Sequence, residues 1–210
     1  MSQNFIRENE LPLRASGRPG FSDSLPRRLA LFAASFIRHP NLVGTIFPSS
    51  PFIVRRTLQR VPWEVCEVLV EYGPGTGQFT REILRRMSPD STLITIDINR
   101  SFVRFLRAAS GDRRLRVVEG SAIDVRKILR RMGCSRVDCV IAGIPFRPLP
   151  AEMRKTIVAE THEALVEGGA MLVYQVSTVV FPHLKATFRQ VEREFEMLNL
   201  LPTHLFRCVK

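Results

Sequence analysis

Lysine is nearly missing from this chain. Of its 31 cationic residues only Lys127, Lys155, Lys185 and Lys210 are lysines; the rest are arginines. Also missing is any apolar run approaching the roughly 20 residues of a membrane-spanning helix. Residues 1–14 mix acids and bases around no apolar centre, so no secretory leader is expected. The cysteines Cys66, Cys134, Cys139 and Cys208 stand apart, with no C-x-x-C pair and no Cys/His cluster at ligand spacing. A zinc site, any other metal site or a disulfide framework is therefore not expected, and a reducing, cytoplasmic compartment is the simplest reading. Internal repeats and low-complexity segments are absent too.

What remains is a globular composition, 45% hydrophobic and 24% charged over 210 residues, enough for one domain with a sizeable core. The formal net charge is +11. Residues 1–70 carry +4 of it, residues 71–150 carry +7, and residues 151–210 are balanced. Arginine stays charged and grips phosphate with a planar fork, so the surplus points to an anionic partner. An anionic membrane surface comes first and nucleic acid second. GC-rich coding would explain the choice of Arg over Lys but not the surplus.

Three parts are expected along the chain. Residues 1–23 are polar, broken by Pro and Gly, and read as a flexible tail. Residues 24–65 read as an N-terminal helical strap. Its first helix, 24–38, has Leu25, Leu29, Phe32 and Phe36 on one face; a turn-rich stretch follows, then a second helix capped by Ser49 or Ser50 with Pro51 in its first turn. Residues 66–210 alternate strand and helix. Strands are expected at 66–72, 91–97, 114–120, 137–143 and 170–176. Helices are expected at 78–87, 100–109, 124–133, 151–169 and 181–195. A closing pair, 196–201 and 204–209, resembles a hairpin. Short apolar strands alternating with helices make an α/β protein with a mostly parallel sheet covered on both faces; the last strand is antiparallel.

The first strand runs into Glu71-Tyr72-Gly73-Pro74-Gly75-Thr76-Gly77 and then a helix. Glycines in a strand–turn–helix setting let the backbone approach a ligand beyond the carboxyl ends of the strands. The spacing is G-x-G-x-G with no Walker lysine, which disfavours dinucleotide and triphosphate pockets. Asp97 ends the second strand, where a carboxylate can accept from both hydroxyls of a ribose. Gly120-Ser121-Ala122, after the third strand, reads either as an adenine edge or as a plain turn.

The loop, the acid and the strand order resemble the class I S-adenosylmethionine-dependent methyltransferases. That resemblance implies a Rossmann-like fold: a seven-stranded, mostly parallel sheet with one antiparallel strand, helices on both faces and the strap over the active site. It implies S-adenosyl-L-methionine as cofactor. Glu71, Tyr72, Gly73, Gly75 and Gly77 would surround its methionine part, with Asp97 at the ribose and Ile98 also against the cofactor. Ser121 and Ala122 would lie near the adenine, and Thr45 and Ser49 would reach the cofactor from the strap. Ser121 stands where many relatives carry Asp, leaving Asp124 or a backbone group as alternatives for the adenine contact.

Ala142-Gly143-Ile144-Pro145-Phe146 resembles the x-[Ile/Leu]-Pro-aromatic segment of methyltransferases acting on amino nitrogens. In the adenine enzymes the first position is usually Asn or Asp. Gly143 leaves only backbone carbonyls there, which counts against a flat nucleobase and suits a smaller, freer amine. Residues 36–58 resemble the strap of bacterial phospholipid N-methyltransferases in their Arg-x-Pro, Val-Gly-x-Ile and Pro-Ser-Ser elements. Asn199-Leu200-Leu201-Pro202-Thr203 resembles that family's segment before the last strand. Likeness to rRNA adenine N6-dimethyltransferases is more distant.

The resemblance implies N-methylation of a phospholipid amine such as that of phosphatidylethanolamine. It also implies docking of the basic helix, through Arg27 and Arg28, on the inner face of the membrane. His39, Gly143, Pro145, Phe146 and Tyr174 form the expected acceptor side. Relatives often carry Gln-Phe-Thr-Tyr where this chain has Gln175-Val176-Ser177-Thr178, so its nearest tyrosine is Tyr174. His39, Tyr174, His183 or water could take the amine's proton. RNA adenine methylation, a small-molecule amine and a non-catalytic assembly factor that binds the cofactor are the competing readings.

Overall fold

A computed structural model describes residues 50–197 and 202–210. The expected tail, the helix 24–38 with Arg27 and Arg28, and His39, Thr45, Ser49 and 199–201 lie outside them. Helix α1 (Pro51–Leu58) begins where Ser50 Oγ accepts from the Ile53 N–H at 3.3 Å, with Pro51 in the first turn. The alternation then runs β1 (Val68–Tyr72), α2 (Gln78–Arg86), β2 (Thr92–Asp97), α3 (Arg100–Ala109), β3 (Leu115–Glu119), α4 (Val125–Arg131), β4 (Val137–Ala142), α5 (Ala151–Ala164), β5 (Leu165–Gln175), α6 (Phe181–Thr187), β6 (Gln190–Glu196) and β7 (Thr203–Val209). A short 3₁₀ turn, Ala122–Asp124, precedes α4.

All seven strands form one sheet of order β3-β2-β1-β4-β5-β7-β6. The first five pair in parallel, and β7 runs antiparallel to both its neighbours. This is the Rossmann-like α/β architecture expected from the sequence, a mostly parallel sheet with one antiparallel strand. Among the described residues no helix is long and apolar enough to cross a membrane.

Strand periodicity of two divides the core into two layers. Leu69, Leu93, Cys139, Ile141, Leu172 and Leu205 point to the side covered by α1 and α2. Val70, Ile94, Val140, Met171, Val173 and Phe206 point to the side covered by α4, α5 and α6. The entry to β1 is fastened to β4 by the Asp138 carboxylate, which accepts from the Glu67 and Val68 N–H groups at 2.9 and 2.8 Å.

Two expected elements differ. Residues 151–169 do not form one helix: α5 stops at Ala164, and β5 begins at once, because Leu165 pairs with Val137 while Gly168, at φ 76°, carries the chain through a register shift. Residues 181–195 are not one helix either. The stretch 190–196, rich in good helix formers, is strand β6 and pairs with β7; of the strand expected at 196–201, residues 198–201 lie outside the described residues. Tertiary contacts override the local preference. Along β6, Glu192, Glu194 and Glu196 share one side, where Arg56 of α1 and Arg60 just beyond it pair with them; Arg207 of β7 pairs with Glu192 at 3.2 Å.

Ile141 lies fully buried in the central strand β4. Ile141→Ala should therefore cost about 2–5 kcal/mol of stability, read as a lower denaturant midpoint with an unchanged slope.

Candidate active site

The carboxyl ends of β1, β2, β3 and β4 converge on one rim and are stitched together by backbone hydrogen bonds. Gly73 N–H donates to Ile96 O at 2.9 Å, Gly143 N–H to Tyr72 O at 2.9 Å, and Gly120 N–H to Asp97 O at 3.0 Å. The loop from Gly73 to Gly77 crosses this rim. Gly73, Gly75 and Gly77 all have positive φ, 67°, 55° and 77°, a region side-chain-bearing residues rarely adopt. A Cβ on Gly73 would lie 2.9 Å from Ile144 Cγ2 and 3.2 Å from Gly143 O, whereas one on Gly75 would meet nothing within 4 Å. The loop is thus packed against the end of β4 on one side and open on the other.

Two carboxylates stand behind it. Glu71 is buried, and its Oε2 accepts from the Thr80 hydroxyl at 2.7 Å. Burial raises its pKa to about 8, with the nearby Asp97 charge adding to the rise and the Thr80 hydrogen bond opposing it. Asp97 is 9% exposed. Its Oδ1 accepts from the Asn99 N–H at 2.8 Å and its Oδ2 from the Gly75 N–H at 3.4 Å. Desolvation pushes its carboxyl upward against those two hydrogen bonds. Thr95, in register with Glu71, buries a hydroxyl with no hydrogen-bond partner among the described residues.

A cationic ligand fits this donor set. Two carboxyl groups offer charge compensation, and the Gly75 backbone faces open space. Ile98, directly after Asp97, leaves a large apolar side chain 78% exposed on the same rim. Ser121 is engaged locally, its Oγ accepting from the Ile123 N–H at 3.4 Å, while Asp124 is exposed.

Several expected site residues point elsewhere. The Tyr72 ring is fully buried on the α5 side, with its hydroxyl 3.0 Å from Thr161 Oγ1, so only its backbone faces the loop. Phe146 is fully buried in the core beneath α5 and α6 and has no free face to stack on an acceptor. Ala122 also belongs to that core. Pro145 is half-buried at the turn, and His183 lies on α6.

Gly143 and Tyr174, by contrast, meet at the rim. Two residues escaped the sequence reading, Phe79 and Thr80 of α2. Phe79 stacks on Tyr174 with centroids 4.5 Å apart and planes 15° from parallel. Their position directly after Gly77, on the helix turn that faces β1, was the available signal. No group of His, Cys, Asp and Glu among the described residues could hold a metal ion.

Comparison with known proteins adds three findings. The sequence model of the family described as "Methyltransferase domain" matches residues 69–169. Ornithine lipid N-methyltransferase of Singulisphaera acidiphila is 31% identical over 180 residues, covering 85% of this chain and 94% of that protein. Among solved structures, precorrin-6y C5,15-methyltransferase of Geobacter metallireducens superposes with a TM-score of 0.62 at 16% identity, covering 76% of this chain and 88% of that one. The N-methyltransferase NodS of Bradyrhizobium japonicum does so with 0.61 at 15% identity, covering 77% and 97%.

Glu71 holds its proton to about pH 8 in the fold, against an ordinary value near 4.5, so the folded state binds more protons between those limits. Its ionisation therefore lowers stability as pH rises through that window. The ligand-free protein should lose melting temperature from about pH 5 to about pH 8, and Glu71→Gln should flatten that slope. Coincident slopes for the two proteins would show that Glu71 is ionised throughout.

Proposed function

The chain belongs to the class I S-adenosylmethionine-dependent methyltransferases, and from that membership we propose that its acceptor is the amine of a membrane lipid. The observation that carries the proposal is the 31% identity with a lipid N-methyltransferase over 85% of the chain. Gly143 supports it, since the end of β4 lacks the side-chain acceptor that a nucleobase amine would use. Ornithine lipid and phosphatidylethanolamine both present a primary amine on a flexible head group, and the proposal covers that chemistry.

S-adenosylmethionine, held by these residues, would supply an activated methyl on a sulfonium that can leave as a neutral thioether when the acceptor nitrogen's lone pair takes the methyl. The protein's contribution is chiefly to position the two, which supplies several kcal/mol. In this reading the Gly73–Gly77 backbone and Glu71 hold the methionine end. Asp97 accepts from the ribose hydroxyls, and Ile98 covers the base. Gly143, Ile144 and Pro145 border the nitrogen to be methylated. The amine reacts in its neutral form, so its proton leaves to water or to a side chain before transfer. Docking of the arginine-rich N-terminal part on anionic lipid would bring the head group to the rim.

Two measurements test the reading. Asp97→Ala removes an acceptor of charge-assisted hydrogen bonds, worth about 1.5–3 kcal/mol, so cofactor affinity should fall about tenfold to a hundredfold in a calorimetric titration. Labelled methyl should appear in lipid extracted from vesicles containing ornithine lipid or phosphatidylethanolamine. A protein that binds cofactor but labels neither lipid has a different acceptor, and labelling of RNA in the same screen would name the alternative.

A further inference from the structure

The end of β4 has no side chain at 143 because another residue occupies that volume. A Cβ on Gly143 would lie 2.1 Å from the Tyr174 hydroxyl oxygen and 2.7 Å from Cζ, distances no real side chain tolerates. Tyr174 belongs to β5, next to β4 in the sheet, and shares the face that carries Leu172. Its ring lies almost flat against Phe79. Phe79 is buried in the first turn of α2, beside Thr80, which hydrogen-bonds Glu71. One short helical turn therefore touches both halves of the rim, the glycine loop with its acid and the end of β4.

We propose that Gly143 and Tyr174 form a single acceptor-selecting device, with Phe79 as its positioning residue. The missing side chain admits the phenol to the end of β4. There the Tyr174 oxygen, rather than a group at position 143, accepts a hydrogen bond from the amine N–H and points the nitrogen lone pair toward the methyl. Phe79 fixes the ring by stacking, a contact worth more than its buried area alone. A rigid phenol in this volume leaves a narrow approach. A slim alkyl amine reaches the oxygen end-on, while a planar base laid over the strand end would compete with the ring for space. The inference rests on the reading of this rim as the acceptor side.

The experiment is a kinetic and thermal series on the full chain: Tyr174→Phe, Phe79→Leu, their combination, Phe79→Tyr, Gly143→Ala, Tyr174→Ala, and Gly143→Ala in the Tyr174→Ala background. Turnover is followed on vesicles of ornithine lipid or phosphatidylethanolamine and on free ornithine and phosphoethanolamine, with cofactor Kd measured alongside. Tyr174→Phe should lower kcat tenfold or more while cofactor Kd stays within twofold. Phe79→Leu should reproduce part of that loss without worsening Tyr174→Phe when combined with it, and Phe79→Tyr should restore it. Gly143→Ala should lower the melting temperature in the native background and leave it unmoved in Tyr174→Ala.

Native kcat and KM in Tyr174→Phe would overturn the acceptor role. Equal thermal penalties for Gly143→Ala in both backgrounds would overturn the pairing. A wild-type protein inert on both lipids but active on a soluble amine would sink the lipid reading alone, with the series then read on that amine. Inertness on all four leaves the melting comparison as the decision on the pair.

Discussion

The whole rim depends on how closely the ends of β1 and β4 approach. Parallel strands sit about 4.8 Å apart, which leaves little room where both chains turn out of the sheet. Here the turning residues are Gly73 and Gly143. Gly73 lets the loop lie on Ile144 and the Gly143 carbonyl, and Gly143 gives its own vacant volume to Tyr174. A side chain at Gly73 would press on Ile144 and the Gly143 carbonyl, and one at Gly143 would displace the Tyr174 ring. Methyl transfer needs the cofactor and acceptor halves of the rim within bonding reach, so two absent side chains set the geometry on which the activity rests.

Buried acid adds a second constraint. Glu71 and Asp97 lie on the same sheet face, where desolvation raises both carboxyl groups. An uncharged ligand would leave that cost in place. A ligand carrying positive charge removes it by favouring the ionised forms, so the same pair that burdens the empty protein favours a sulfonium. The arginines are less available to partners than their number implies. Arg56, Arg60, Arg114, Arg126 and Arg207 each pair with a carboxylate of the protein itself. Arg114 also donates to the carbonyls of Leu84 and Met87 at the end of α2. Part of the arginine content is therefore internal scaffolding, while the net surplus of +11 is left for partners.

What the sequence revealed was local. The E-x-G-x-G-x-G turn, Asp97 and the Ser50–Pro51 helix start each depend on neighbouring residues, and each lies where expected. What stayed hidden depends on partners far along the chain. QVEREFE reads as helix until Arg56 and Arg60, more than a hundred residues earlier, draw Glu192, Glu194 and Glu196 onto one side of a strand. Tyr72 and Phe146 sit beside functional positions in sequence, yet strand parity and the turn after β4 send their rings into the opposite core layer. Phe79 carried only the hint of its place just past the glycine loop, because its contact with Tyr174 joins two elements far apart in the chain.

The antiparallel strand β7 has a consequence for how the chain is made. It follows β6 in sequence but lies between β6 and β5, and it is the one sheet partner of β6 among the described residues. During synthesis the five parallel strands can assemble in order, while β6 emerges with no edge to join. It must wait until residues 203–209 insert beside β5. In that interval the exposed edge of β5 and the apolar side chain of Phe195 are open to other nascent chains. Folding is thus most open to misassociation at one step, the insertion of β7 between β5 and β6.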